Sequence, residues 1–275
     1  MAVDETPDLR LDRPSPARMY DHYLGGKDNY AVDREAAGKI IELYPPIVKV
    51  ARRNRAFMRR ATRWLVREAG IRQFLDIGTG IPTEPNLHQV VQEVAPECRV
   101  VYVDNDPVVL THARALMRST PEGRTTYIQA DATRPETILG DPELAEVLDL
   151  SQPVALTLIA LMHFVEDKHD PVGVVRELLS ALPSGSALAM THVTGEFDPV
   201  GSAQAVEIYR SRGIGFQMRS RAEGARFFEG LDLVEPGIEL LHRWRPELGD
   251  DAETVNAREI ADADDGFWAG VAVKP

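Results

Sequence analysis

The chain has 275 residues, of which 44% are apolar and 27% charged, and it contains one cysteine. This composition supports a sizeable core and excludes a mainly disordered chain, while a single cysteine excludes a disulfide framework and a multi-cysteine metal site. No stretch approaches the ~18 unbroken apolar residues of a membrane span, and the acidic first residues do not resemble a secretion signal, so we expect a soluble, cytoplasmic protein.

Charge is unevenly distributed around a net value of −12. The first 72 residues carry 15 Lys and Arg against 10 Asp and Glu, whereas the remainder is strongly acidic. An acidic body argues against generic nucleic-acid binding, which needs a basic face. The local basic excess lies between Lys49 and Arg67, and we assign its arginines mainly to a solvated helix face, with an anionic acceptor such as RNA as the alternative. The arginines placed on that face are Arg52, Arg55, Arg59, Arg63 and Arg67.

The first 69 residues read as an N-terminal helical extension. Residues 14–46 are dense in Gly, Pro, Asp and Tyr, which predicts short helical pieces at best. Across residues 47–69, apolar side chains recur at helical spacing, and Gly70 follows as a natural helix stop.

Helices and strands alternate from residue 70 to residue 275. Near-continuous apolar strands separated by helices indicate a parallel sheet covered on both faces. We predict strands at 74–77, 100–103, 127–129, 154–161 and 187–192, helices at 86–94, 107–117 and 171–182, and a terminal antiparallel pair at 238–244 and 267–273. A capping box at Ser220–Glu223 predicts one more helix start. The predicted fold is a Rossmann-like, doubly wound α/β domain with a mostly parallel seven-stranded sheet.

The first strand ends in Asp76, followed by a Gly78-Thr79-Gly80 turn. Such a turn lets the backbone approach a ligand closely, but the third Gly of the dinucleotide fingerprint is absent. A pyrophosphate would also be repelled by Asp76, whereas a ligand with a cationic amino group would be attracted. S-adenosylmethionine (SAM) has an ammonium, a sulfonium and no phosphate.

Carboxylates also follow the next two strands. Asp104 ends the second strand, where an acid can accept hydrogen bonds from ribose hydroxyls, and Asp131 with Ala132 ends the third, where a carboxylate can accept from an adenine amino group. Each acid alone could be a helix cap, as we expect for Asp106 before Pro107. Three acids at consecutive strand ends beside a Gly turn favour a nucleoside site.

This pattern resembles the first three cofactor motifs of class I SAM-dependent methyltransferases. The stretches RPSPARMYD (13–21), LGGKDNY (24–30) and VYVDNDP (101–107) further resemble a bacterial family of SAM methyltransferases without an established substrate. The resemblance implies the fold and the cofactor, SAM, over nearly the whole chain. It does not imply a methyl acceptor. The expected cofactor-binding residues are Tyr20, Asn29, Asn54, Asp76, Gly78, Thr79, Gly80, Asp104, Asn105, Asp131, Ala132 and Ala160.

The N-terminal extension is interpreted as a lid. Residues 20–30 mix tyrosines, a Gly-Gly pair and polar groups, which suits a segment that covers a cofactor; the alternative is a turn with packed tyrosines. Asn54 falls on the apolar face of the 47–69 helix. A buried amide needs partners, so it bonds either to neighbouring backbone or to a ligand.

His163 is the candidate catalytic residue, because it follows the fourth strand and could accept a proton from the methyl acceptor. The alternative is that it only lines the pocket. The spacing of nearby acids and histidines fits no helical ligand pair, and we assign no metal.

We therefore expect a methyltransferase acting on a small-molecule acceptor. The alternatives are a SAM-binding sensor without methyl transfer, a methyltransferase acting on RNA and, with least support, a nicotinamide oxidoreductase.

Overall fold

The computed structural model describes residues 9–116, 118–249 and 260–275, with the backbone alone for residues 113–116. The helices are α1 (Pro16–Leu24), α2 (Ala31–Leu43), α3 (Ile47–Arg67), α4 (Leu87–Val94), α5 (Pro107–Leu116), α6 (Pro135–Leu139), α7 (Pro142–Val147), α8 (Pro171–Ser180), α9 (Pro199–Arg210) and α10 (Arg221–Ala225). The strands are β1 (Gln73–Ile77), β2 (Arg99–Asp104), β3 (Arg124–Gln129), β4 (Val154–Leu158), β5 (Ala187–Val193), β6 (Asp232–Leu233), β7 (Glu239–Leu240) and β8 (Phe267–Val273). Across these described ranges, no helix has the length and apolar content needed to cross a membrane.

One mixed sheet organises the fold in the order β3-β2-β1-β4-β5-β8-β6, with β7 also paired to β8. The first five strands are parallel, and β8 runs antiparallel to β5, with Ala187 opposite Val273 and Val193 opposite Phe267. The prediction of a mostly parallel, doubly wound sheet with a terminal antiparallel strand is confirmed. The seventh position of the sheet is divided between the two-residue strands β6 and β7, so the described strands number eight rather than seven.

Successive side chains of each strand point to opposite faces of the sheet, where they pack into two hydrophobic cores. Phe74 and Tyr102 pack on one face with α3 and α4, while Leu75 and Val103 pack on the other with α6, α7 and α8. Both faces are covered, so the central strands β1, β4 and β5 are buried along almost their whole length, as expected for a parallel sheet.

Strand β4 ends at Leu158, three residues before the predicted end, although the apolar run continues to Leu161. Ala160 has a φ of +54°, a left-handed conformation that cannot continue a strand. The chain turns there, and this turn lies next to the carboxyl end of β1.

A third apolar cluster joins α1 and α2 to α9 and the segment 211–219, and we call these four parts the roof. Arg18 of α1 and Asp33 of α2 form a fully buried ion pair at 3.1 Å. The expectation of only short helical pieces in residues 14–46 is wrong for α2, which has 13 residues. Its Ala36, Ala37 and Ile40 form a narrow buried face that composition alone does not reveal.

Helix α3 is also tied to the C-terminal part of the chain. Two buried arginines make these contacts: Arg60 donates to the carbonyls of Trp244 at 3.1 Å and Leu241 at 2.6 Å, and Arg53 donates to the carbonyl of Asp264 at 2.8 Å. Since each arginine donates to backbone oxygens far along the sequence, Leu241, Trp244 and Asp264 hold α3 in place together with the sheet.

Candidate active site

A cavity of about 510 Å³ lies between the carboxyl ends of β1–β4 and the roof. Its walls include Asp76, Asp104 and Asp131 from the strand ends, and Tyr20 and Tyr209 from the roof. Ligands of open α/β sheets bind at this edge, at the point where the strand order reverses. Of the sequence-predicted residues, those on the cavity wall are Tyr20, Asn54, Asp76, Gly78, Thr79, Gly80, Asp104, Asn105, Asp131, Ala132, Ala160 and His163.

The backbone conformation of the turn after β1 requires glycine at positions 78 and 80. Gly78 and Gly80 have φ values of +76° and +68°, which L side chains rarely adopt. A Cβ on Gly78 would also lie 2.6 Å from Cδ1 of Leu161, so this position must be bare for the turn after β4 to pack against it.

Asp76 is buried beside this turn and keeps part of its acceptor capacity free. Thr157 Oγ1 donates to Oδ1 at 2.5 Å, and Thr79 Oγ1 donates to Oδ2 at 3.1 Å. Burial raises the pKa of the Asp76 carboxyl, while the two threonine hydrogen bonds and the charge of Arg55 oppose the rise. Each carboxylate oxygen has a further lone pair, so a cationic group in the cavity can be accepted.

Asp104 connects the end of β2 to the glycine turn. Its Oδ2 accepts from the Gly80 N–H at 2.8 Å, and its Oδ1 accepts from the Asp106 N–H at 2.9 Å. Burial raises the pKa of Asp104 to about 6. Asp106 in turn accepts from the Val108 N–H at 2.9 Å, which is the helix-capping role predicted for it.

Asp131 differs from the other two acids because it is exposed. Its Oδ1 accepts from both the N–H and the hydroxyl of Thr133, at 2.9 and 2.8 Å, so the carboxylate caps the turn after β3. Its remaining oxygen stands at the cavity rim together with the exposed Asn105.

Arg55 is on the cavity wall as well, which corrects its assignment to a solvated helix face. The guanidinium donates to the carbonyls of Thr83 and Pro85, both at 2.6 Å. None of the described carboxylates lies within salt-bridge distance of the guanidinium. Its positive charge nevertheless lowers the pKa of Asp76. Sequence reasoning missed Arg55 because seven arginines share this helix, and only the fold distinguishes the one that lies on the cavity wall.

Tyr20 and Asn54 connect the roof to α3. The Tyr20 hydroxyl donates to the carbonyl of Ala51 and accepts from Asn54 Nδ2, both at 2.9 Å. Asn54 Oδ1 is buried without a partner among the described residues. An unpaired buried oxygen on a cavity wall suits a donor from a bound molecule.

Asn29 is buried but does not line the cavity. Its Nδ2 donates to Oδ2 of Asp21 at 2.7 Å and to the carbonyl of Gly26 at 3.0 Å. These contacts hold the loop between α1 and α2, so the structure separates Asn29 from the other predicted residues.

His163 lies in a short 3₁₀ turn after Ala160, in an aromatic environment. Its Nδ1 is buried without a hydrogen-bond partner among the described residues. Burial holds the pKa of His163 well below its ordinary value, and His192 and Arg219 lower it further. The imidazole is therefore neutral and can accept a proton from a molecule in the cavity.

The charged residues that follow His163 form ion pairs. Glu166 pairs with Lys168 at 2.7 Å and with Arg210 at 3.3 Å, and Asp167 accepts from Arg219 at 2.7 Å. Arg219 also contacts His192 Nε2 at 2.8 Å. These contacts stabilise the turn that carries His163.

The donor set suits a zwitterionic adenosyl compound. Asp76 has free acceptor capacity for a cation, and Asp104 lies at the end of β2; among the described residues, Arg55 has no carboxylate partner and Asn54 Oδ1 has no donor. The carboxylates of Asp76 and Asp104 would repel a pyrophosphate.

Comparison with known proteins agrees with this chemistry. Residues 3–275 match the family model described as S-adenosyl methyltransferase, and no curated protein matches the chain. The crystal structure of a DUF574 family protein from Streptomyces avermitilis is 50% identical, with a TM-score of 0.92 over 97% of this chain and 100% of its own. That of a proposed methyltransferase from Thermobifida fusca is 36% identical, with a TM-score of 0.85 over 99% of both chains.

A more distant structure shares the fold alone. The plantazolicin methyltransferase BpumL, crystallised with a triazolic desmethylPZN analog and S-adenosylhomocysteine (SAH), is 11% identical, with a TM-score of 0.53 over 94% of this chain and 95% of its own.

Proposed function

The chain belongs to the S-adenosyl methyltransferase family, and from this premise we propose that it methylates a small-molecule acceptor held in the cavity beneath the roof. The observation that carries the proposal is the continuity of the cavity. One wall is formed by the polar strand ends that suit an adenosyl group, and the opposite wall is formed by largely apolar roof residues. A single space for two molecules suits direct transfer between them.

The residues at the strand ends are proposed to hold SAM. Asp76 and the Gly78–Gly80 backbone take the methionine ammonium end, with Arg55 placed to take its carboxylate. Asp104 and Asn105 take the ribose, and Asp131 with Ala132 takes the adenine. When bound, SAM supplies a methyl group on a sulfonium whose departure as a thioether needs no acid.

His163 and the roof are proposed to act on the methyl acceptor and its surroundings. His163 accepts the proton that the acceptor loses, since its imidazole is held neutral by burial. The roof covers the strand ends, and displacement of water by a bound ligand would strengthen the interaction of Asp76 and Asp104 with its cationic groups. Tyr20 and Asn54 join the roof to α3 and keep the cavity closed on that side.

The sensor alternative is disfavoured by the space beneath the roof, because a protein that only binds SAM has no need of an apolar compartment beside it. Transfer to RNA is disfavoured by the net charge of −12, because nucleic-acid binding needs a basic face. A cytoplasmic location remains a prediction from the sequence.

Calorimetric titration with SAM, SAH and NAD in parallel tests the cofactor assignment. We expect micromolar binding of both adenosyl ligands and none of NAD. Absence of SAM and SAH binding to folded protein would overturn the proposal, and preferential NAD binding would revive an oxidoreductase.

A further inference from the structure

Five rings gather at the roof end of the cavity, and we call them the aromatic chamber: His163, Phe164, Tyr209, Phe216 and Phe267. All five are on the cavity wall. Tyr209 and Phe216 stack with centroids 4.2 Å apart at 20°, and His163 lies 4.4 Å from Phe164, 5.4 Å from Phe216 and 5.6 Å from Phe267. We propose that the methyl acceptor is an uncharged phenol whose ring occupies this chamber and whose hydroxyl meets His163; the inference rests on the proposed function.

The shape of the chamber favours a flat ring. Its rings meet both stacked and edge-on, as between Phe164 and Tyr209 at 71°, and such walls complement the face and edge of another aromatic ring. The chamber shares a cavity of about 510 Å³ with the cofactor site, so the acceptor is small.

The chamber contains no group that would neutralise a charged acceptor. His163 is held neutral, and the hydroxyls of Tyr23 and Tyr209 lie 3.3 Å apart and satisfy each other. Of the charged side chains on the adjoining wall, Glu166 and Lys168 are paired at 2.7 Å, and the exposed Asp198 caps α9 by accepting from the Gly201 N–H at 3.0 Å. An acceptor ionised inside the chamber would therefore lose its hydration without gaining a counter-ion from the five rings.

His163 provides the hydrogen-bond acceptor of the chamber. It lies on the cavity wall, and its Nδ1 is buried without a partner among the described residues, so we place the acceptor O–H against its imidazole. In the transfer, the phenol oxygen forms a bond to the methyl carbon, the carbon–sulfur bond breaks with its electron pair on sulfur, and the hydroxyl proton moves to His163.

Binding of shape-matched probes to the full chain saturated with SAH tests the inference without requiring turnover. The probe is 2-naphthol, compared by calorimetry with 2-naphthoate, 2-naphthylmethylamine and cyclohexylmethanol. We expect 2-naphthol to bind at least tenfold more tightly than each of the others. The inference is overturned if a charged or aliphatic probe binds as tightly as 2-naphthol or more tightly, or if 2-naphthol does not bind. In either case, SAH binding would leave the proposed function standing. Failure of SAH itself to bind overturns both.

Two variants then assign the contacts. Phe216→Leu removes one chamber ring and should weaken 2-naphthol binding severalfold, whereas Phe57→Leu, the same change in a buried core ring away from the cavity, should leave it unchanged. His163→Phe keeps an aromatic ring but removes the acceptor nitrogen. It should abolish the preference of the wild-type protein for 2-naphthol over 2-methoxynaphthalene, and a preference that survives this substitution contradicts the role of His163.

Discussion

Replacing Asp76 with Asn should weaken ligand binding while strengthening the fold. Two of the carboxylate's acceptor sites are used by Thr157 and Thr79, and the others face the cavity. A hydrogen bond to a charged group contributes about 1.5–3 kcal/mol, and about 1.4 kcal/mol corresponds to a tenfold change in affinity. Asp76→Asn should therefore raise the dissociation constant of SAH by about 10- to 150-fold.

The ligand-free protein should respond in the opposite direction. Burial raises the folded-state pKa of Asp76, so the ionised carboxylate destabilises the folded protein at every pH above that pKa. The destabilisation declines as the pH falls through the folded pKa towards the ordinary value. Asp76→Asn removes it, so the free energy of unfolding at neutral pH should increase, and the difference from wild type should shrink in acid.

Calorimetry with SAH and with 5′-methylthioadenosine, which lacks the amino-acid group, separates the two effects. Only SAH should lose affinity in Asp76→Asn. Arg55→Met is the matched variant for the carboxylate, and 5′-methylthioadenosine again serves as the control, since Arg55 also supports the carbonyls of Thr83 and Pro85. An equal loss of both ligands, or a less stable ligand-free Asp76→Asn protein in urea denaturation, would refute this reasoning.

Three further outcomes are expected. SAH affinity should fall as the pH is lowered through about 6, where Asp104 gains its proton, and Asp104→Asn should flatten that part of a calorimetric pH series. Gly78→Ala and Gly213→Ala both place a side chain at positive φ, but only the Cβ at position 78 meets Leu161. In urea denaturation, Gly78→Ala should therefore lower the free energy of unfolding by about 1–3 kcal/mol more than Gly213→Ala does, and equal losses would contradict the packing described. Asn29→Ala should lower stability by about 1–2 kcal/mol and leave the SAH dissociation constant within about twofold, because its contacts are to the loop; a large loss of SAH affinity in a stable variant would return Asn29 to the site.

The sheet and the cofactor wall could be predicted because their signals are local. A short, mainly apolar run marks most of the parallel strands, although β3 begins with the polar residues Arg124-Thr125-Thr126. The topology brings the residues that follow consecutive strands to one edge. Asp76, Asp104 and Asp131 are therefore recognisable as neighbours from the sequence alone, although they are up to 55 positions apart.

The opposite wall could be predicted only in part. The composition of residues 20–30 indicates a segment that covers a cofactor, and the position of residues 195–219 after β5 places Tyr209 and Phe216 over the same end of the sheet. Phe164, which contacts both of these rings, and Phe267, which contacts His163, come from distant elements, and no local pattern shows that they meet there. The same holds for Arg55, whose inward direction depends on how α3 crosses the sheet. Periodicity shows which face of a helix is apolar, but not which polar residue at the border of that face meets a cavity.

The long-range contacts of α3 have a consequence for the order in which the protein matures on the ribosome. Arg60 is fixed by the carbonyl of Trp244, 184 positions later in the sequence. At about 5–20 residues per second, translation separates the two by roughly 10–40 s. During that interval the helix that carries Asn54 and Arg55 into the cavity lacks its C-terminal support. We therefore expect the nascent chain to gain SAM-binding ability late, after its central strands have been made, rather than progressively as they emerge.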